Sequence, residues 1–144
     1  MSVPGKGRVV GVDFGTVRIG LAISDPERKI ASPWENYTRR KESLDALHFS
    51  QLAKEERISL FVVGLPLYPS GDESPKSAEA RNFGAWLEQT TGVPVVFHDE
   101  RLSSKLADDL LASMSLSPQK RKARRDKLAA YVILASWLEK QDKG

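Results

Sequence analysis

The chain contains no cysteine, which excludes disulfides and thiolate metal sites and agrees with a cytoplasmic protein. It has no run of 18 apolar residues, so no membrane-spanning helix is expected. The opening "MSVPGKGRVV" lacks the apolar stretch of a secretion signal, and residues 1–7 read as a short flexible lead-in. Internal repeats are absent, as is any linker long enough to divide the chain. The expectation is therefore one domain over residues 1–144, with 141–144 as a flexible tail and enough chain for one substantial core.

Charge of neither sign dominates: the formal net charge is +3. Its distribution is less even. Residues 118–127, "PQKRKARRDK", carry +5, which leaves −2 on everything else. A concentrated basic run points to a phosphate-rich partner such as nucleic acid, although a solvated loop has the same composition.

Hydrophobic periodicity organises the rest. "RVVGVDFG" reads as a buried strand and "RIGLAISD" as its hairpin partner, with Ile19, Leu21 and Ile23 inward and the turn at Gly15 to Arg18. "KIASPWENYTR" is a poorer strand, placed at an edge by Pro33. A helix from Asp45 to Arg57 follows, with Leu44, Leu47, Leu52 and Ala53 at helical spacing. "ISLFVVGLP" is apolar throughout, as in a strand covered on both faces. "LYPSGDESPKS" is a loop by composition, and a helix runs from about Ser77 to Thr90, closed by Gly92. Then come a short strand "VPVVFHDE", a helix "LSSKLADDLLASM", the basic stretch as a loop, and a last helix "DKLAAYVILASWLEK". The order gives an α/β fold: a mixed five-stranded sheet, its first three strands antiparallel, with helices on both faces. A right-handed crossover puts the fourth strand beside the first, so the ends of strands one, four and five meet.

Three acids fall at that common edge. Asp13 closes an otherwise apolar strand, Glu100 follows the fifth strand, and Asp126 opens the last helix. Each has an ordinary explanation alone: an Asx turn, a solvated strand end, and a favourable place at a helix N-terminus. As a set they supply the oxygen ligands that Mg²⁺ or Mn²⁺ prefers, and such ions promote phosphodiester hydrolysis. Ala129 and Ala130, one turn after Asp126, are small enough to let that helix approach the sheet.

The four segments "VDFGTVRIGLAISD", "FVVGLPLYPSGDES", "FHDERLSS" and "RRDKLAAYVIL" together resemble the YqgF/RuvX family of Holliday-junction-resolvase-like proteins and pre-16S rRNA nucleases. The resemblance spans roughly residues 8–139, in the family's order and spacing. It implies an RNase H-like fold, Asp13, Glu100 and Asp126 as the catalytic metal-binding set, and Mg²⁺ or Mn²⁺ as cofactor. It implies nuclease action on branched DNA or on precursor 16S rRNA at its 5′ end, by a monomer or a homodimer. Related resolvases carry a fourth acid one turn after the last aspartate; this chain has Ala129 there.

Other residues near these motifs are candidates for holding nucleic acid. Thr16 and Arg18 flank Asp13 and serve either a phosphate or the turn itself. Lys76 and Arg81 follow the loop, Tyr68 within it is a stacking candidate, and Gly64 and Pro66 would let a strand approach. Arg101 either neutralises charge or pairs with an acid. Lys120, Arg121, Lys122, Arg124 and Arg125 form the basic run. His98 reads as a strand histidine before a proton shuttle, His48 as structural, and Trp34, Trp86 and Trp137 as packing. Two other functions compete. "VDFGT" also suits the phosphate loop of actin-like ATPases, but those need two such domains, and this chain is too short for both. A non-catalytic nucleic-acid-binding module would share the fold and basic run, yet gains nothing from clustered acids facing phosphates.

Overall fold

The computed structural model describes residues 5–102, 109 and 118–143, with side chains of the last segment over 128–141. The elements are β1 (Arg8–Asp13), β2 (Arg18–Ser24), β3 (Ala31–Thr38), α1 (Glu42–Glu55), β4 (Ile58–Leu65), α2 (Pro75–Thr91), β5 (Val95–Asp99), a 3₁₀ turn (Glu100–Leu102) and α3 (Pro118–Lys143). The sheet order is β3-β2-β1-β4-β5. β1 pairs antiparallel with β2 and parallel with β4, and β4 pairs parallel with β5.

The period-two alternation of β1 and β4 divides the core into two layers. Val10, Val12, Phe61, Val63 and Leu65 face α1 and α2, where Phe49, Leu52, Phe83 and Leu87 meet them. Val9, Leu60 and Val62 face α3, against Ala130, Ile133, Leu134, Trp137 and Leu138. Burial on both faces explains why these strands carry almost no polar residues. β3 lies at the edge, as Pro33 requires, and its register with β2 shifts between Leu21 and Ala22.

α2 begins at Ser74, whose Oγ accepts from the Ser77 amide at 3.0 Å while Ser77 Oγ accepts from the Ser74 amide at 2.8 Å. Pro75 sits in its first turn, and Gly92, at φ 75°, ends it. α1 starts earlier than its apolar spacing suggests, and its buried face differs from the expected one. Asp45, Phe49, Leu52 and Ala53 point inward, whereas Leu47 is 54% exposed. Two interactions turn the helix this way. Phe49 packs edge-on against Phe83 and Trp86, and buried Asp45 accepts from Tyr37 Oη at 2.6 Å and from the Arg40 amide at 2.8 Å.

The basic run is not a loop. Residues 118–127 form the first turns of α3, continuous with the apolar part. Lys, Arg, Gln and Ala are good helix formers, and proline is tolerated at a helix start. Asp126 thus lies about two turns inside the helix, away from its N-terminus, and the macrodipole no longer explains it. The expected helix over "LSSKLADDLLASM" lies outside the described residues apart from Leu102 and Asp109. Among the described residues no helix is long and apolar enough to cross a membrane.

α3 lies unusually close to β1. A Cβ on Gly11 would stand 2.8 Å from the Ala130 carbonyl oxygen and 2.8 Å from Leu134 Cβ. Backbone cannot yield as a side-chain tip can, so Gly11→Ala should destabilise the fold by about 2 kcal/mol, the scale of overpacking. Urea unfolding of the two proteins measures this, with a lower midpoint expected for the variant.

Candidate active site

The strand alternation that builds the core also aims the acids. On β1, Val9 and Gly11 face α3, so Asp13 shares that face. On β5, His98 bonds to Ser136 of α3 through Nε2 and Oγ at 3.1 Å; two residues on, Glu100 keeps the same side. β4 runs between them. Gly64, opposite His98 in the ladder, also faces α3, and the missing side chain is the space Glu100 occupies. A Cβ on Gly64 would lie 2.8 Å from Glu100 Cγ and 2.6 Å from Ile133 Cδ1. Glu100 therefore reaches across β4 to Asp13, and the two carboxyl groups hydrogen-bond. The space over Gly64, read from the sequence as room for nucleic acid, is filled by the Glu100 side chain.

Two carboxylates in contact repel unless a proton or a cation lies between them. Burial raises the Glu100 pKa above its ordinary value; nearby Asp99 adds to this, while the Asp13 contact and the Lys76 ammonium oppose it. Lys76, in the first turn of α2, is accordingly part of the site's electrostatics. Asp126 stands one helical turn before Ala130, whose carbonyl abuts Gly11. Its side chain, and those of Lys120, Arg121, Lys122, Arg124 and Arg125, lie outside the described residues. Among the described residues no three metal-ligating side chains cluster; two acids do. Paired hard-oxygen donors, one of them destabilised as an anion by burial, fit a divalent cation such as Mg²⁺ or Mn²⁺.

The other candidates divide by position. Asp99 faces away from Glu100 and is held by Arg101, with Nη2 at 2.6 Å from Oδ2 and Nε at 2.9 Å. That pairing depresses the Asp99 pKa. Arg101 Nη1 also donates to the Pro69 carbonyl at 3.1 Å. Arg81 is engaged by Glu73, with Nε–Oε1 2.8 Å and Nη2–Oε2 3.1 Å. Both arginines thus fasten the loop between β4 and α2; Arg81 does so where the local reading gives it to a phosphate, and Arg101 makes the acid pairing that is one of its two readings. Tyr68 stands in that loop, 49% exposed, and its backbone closes the turn with Gly71 and Asp72. Thr16 lies past β1 on the α1–α2 side, lining a cleft there, and Arg18 is exposed at the start of β2.

His98 is buried, and that burial lowers its pKa, as for a structural strand histidine. His48 stacks on Tyr37 with ring centroids 4.1 Å apart and meets Glu35 at 2.7 Å, far from the acids in the fold. The cleft formed by Phe14, Arg39, Asn82 and Trp86 has no warning in the sequence, because its walls come from three separate elements.

A sheet in this order, with helices on both faces and acids at the ends of β1 and β5, defines an RNase H-like fold. Thermus thermophilus RuvC in complex with a Holliday junction superposes with a TM-score of 0.58 at 15% identity, over 96% of this chain and 98% of that one. The yeast mitochondrial Holliday junction resolvase matches at 0.54 and 13%, over 99% and 82%. The chain belongs to the RuvX Holliday junction resolvase family, whose model matches residues 7–140. Relatives named "Putative pre-16S rRNA nuclease" include one from Rhodopirellula baltica, 46% identical over 94% of this chain and 79% of its own length. Another from Anaeromyxobacter dehalogenans is 40% identical over 93% and 98%.

The raised Glu100 pKa has a consequence for stability. Between the unfolded and folded pKa values the folded protein holds the extra proton, so stability falls as pH rises through the folded value. Below both values the effect vanishes. Glu100→Gln should therefore raise Tm by a few degrees at pH 8 in metal-free buffer, with the gain shrinking towards pH 4. Differential scanning calorimetry at the two pH values checks the sign and its pH dependence.

Proposed function

We propose that this chain is a cytoplasmic, divalent-cation-dependent nuclease that hydrolyses phosphodiester bonds in structured nucleic acid. The favoured substrate is the 5′ end of precursor 16S rRNA, in keeping with the names of its more similar relatives. Four-way DNA junctions are the second candidate, in keeping with the family description and the resolvase folds. The observation that carries the reading is the Asp13–Glu100 carboxyl contact over Gly64 at the sheet edge. A pure binding module has no use for an acid pair that repels the phosphates it holds.

Asp13, Glu100 and Asp126 would hold the cation, Mg²⁺ or Mn²⁺. When bound, it supplies charge neutralisation of the phosphodiester and a lowered pKa for an attacking water. The three acids would give an oxygen frame that holds the cleaved phosphate in register with them. Burial of Glu100 favours its protonated form, and a bound cation would favour the anion. Lys76 adds positive charge beside the pair. The basic turns of α3, from Lys120 to Arg125, start on the same helix as Asp126 and would grip flanking phosphates.

Thr16 and Arg18 bracket the strand past Asp13, and Tyr68 offers an exposed ring for an unpaired base. Arg81 and Arg101 act at one remove by holding the loop that carries Tyr68. One domain over residues 1–144, working as a monomer, suffices to trim an RNA end. Paired cuts across a junction call for a homodimer.

The test is a side-by-side cleavage assay on a precursor-rRNA 5′ segment and a four-way DNA junction, with Mg²⁺ or Mn²⁺. Asp13→Asn should lower the rate by about 10²-fold or more, the scale for losing one charged group from a transition-state site, while binding persists. Equal residual cutting by wild type and Asp13→Asn, with both still bound to substrate, would establish the binding-module alternative instead.

A further inference from the structure

The second concave feature at this edge lies on the opposite face of the sheet. Phe14 directly follows Asp13 and points the other way, into the layer between α1 and α2. There it stacks on Phe83, with ring centroids 4.7 Å apart, and Phe83 meets Trp86 at 5.5 Å. These rings line an open cleft of about 380 Å³ that begins at Thr16. Its size is in the range that takes a small planar ligand.

The polar lining is acidic. Glu42, Asp45 and Glu79 line it together with one guanidinium, that of Arg39. Arg39 is already committed: its Nε is 3.5 Å from Asp45 Oδ2, and its Cζ lies 5.3 Å over the Phe14 ring. Asp45 is 1% exposed, and its Oδ2 accepts no hydrogen bond. Glu42 Oε1 accepts from Trp86 Nε1 at 3.0 Å, which fixes the indole plane. Glu79 and Asn82 stand exposed on α2 at the rim.

A net negative lining rejects phosphate, so this cleft does not extend the grip on the backbone. Aromatic walls call for a flat ring, and carboxylates call for N–H donors on it. Among the four bases, guanine presents two adjacent donors, N1–H and the N2 amine, which one carboxylate accepts together. We propose that the cleft receives a single guanine, unstacked from the strand whose phosphodiester sits at Asp13 and Glu100. Trp86 stacks it, and Glu79 with Asn82 reads its donor edge. The proposal rests on the nuclease reading and adds a base preference to it; the ring is common to RNA and DNA.

The experiment uses the full chain carrying Asp13→Asn, to prevent cleavage, and fluorescein-labelled single-stranded pentanucleotides. The central residue is guanine, inosine or abasic in an otherwise uniform uridine or thymidine strand, so the RNA and DNA arms separate the two sources. Fluorescence anisotropy should show guanine binding about tenfold tighter than the abasic probe, the scale of one stacked base. Inosine, which lacks the N2 amine, should fall between. Glu79→Gln, at an exposed position that does not threaten folding, should bring guanine down to the inosine level. Trp86→Ala should abolish the preference. Equal affinity for all three probes, or a guanine preference untouched by Glu79→Gln and Trp86→Ala, overturns the cleft assignment. If wild type still cleaves its substrate in that case, the nuclease reading stands without it. Loss of both oligonucleotide binding and cleavage defeats the two together.

Discussion

The close approach of α3 to the sheet is the constraint on which the rest depends. Gly11 lets the Ala130 carbonyl and Leu134 rest directly on β1, and Gly64 leaves the matching gap on β4. A helix held off by ordinary side chains would sit farther from the strands. The same gap over Gly64 lets Glu100 cross a whole strand to meet Asp13. Packing and chemistry thus share one cause: two positions without a Cβ.

That arrangement stores unfavourable electrostatics where a cation would relieve it. Burial pulls Glu100 out of water and raises its pKa, and the Asp13 contact and the Lys76 ammonium offset that only in part. Other acids have ordinary partners. Asp99 has Arg101, Glu73 has Arg81, and Asp25 takes the amides of Lys29 and Ile30. Among the described residues the Asp13–Glu100 pair stands out because these neighbouring acids have ordinary partners. The loop between β4 and α2 is pinned at both ends, by Ser74 on the Pro66 carbonyl at 2.6 Å and by Arg101 on Pro69. Its exposed Tyr68 is thereby held beside the site.

Much of this was legible in the residues. Continuous apolar runs marked β1 and β4 as doubly covered, Pro33 marked β3 as the edge, and Gly92 marked the end of α2. The meeting of the Asp13 and Glu100 strand ends followed from topology alone. What the residues concealed depends on partners remote in sequence. Leu47 looks like a core leucine until Phe49 and Asp45 find Phe83 and Tyr37 and rotate α1. The basic run looks like a loop because its charge hides its helix propensity, and Asp126 then passes for a helix cap. Arg81 looks like a phosphate ligand until Glu73 is seen beside it, while Arg101 makes the acid pairing its position allowed, with Asp99. The cleft by Trp86 has no motif, since Phe14, Glu42 and Asn82 come from three different elements.

The central claim is that Asp13, Glu100 and Asp126, remote in sequence, converge on one cation at the edge of β1, β4 and β5. A crystal of the full chain grown with Mn²⁺ tests it most directly, through the anomalous scattering of the metal. The expected result is a peak coordinated by Asp13 and Glu100 oxygens with Asp126 in the same shell. A crystal in which Mn²⁺ avoids this edge, or binds there with Asp126 turned away from it, would contradict the account.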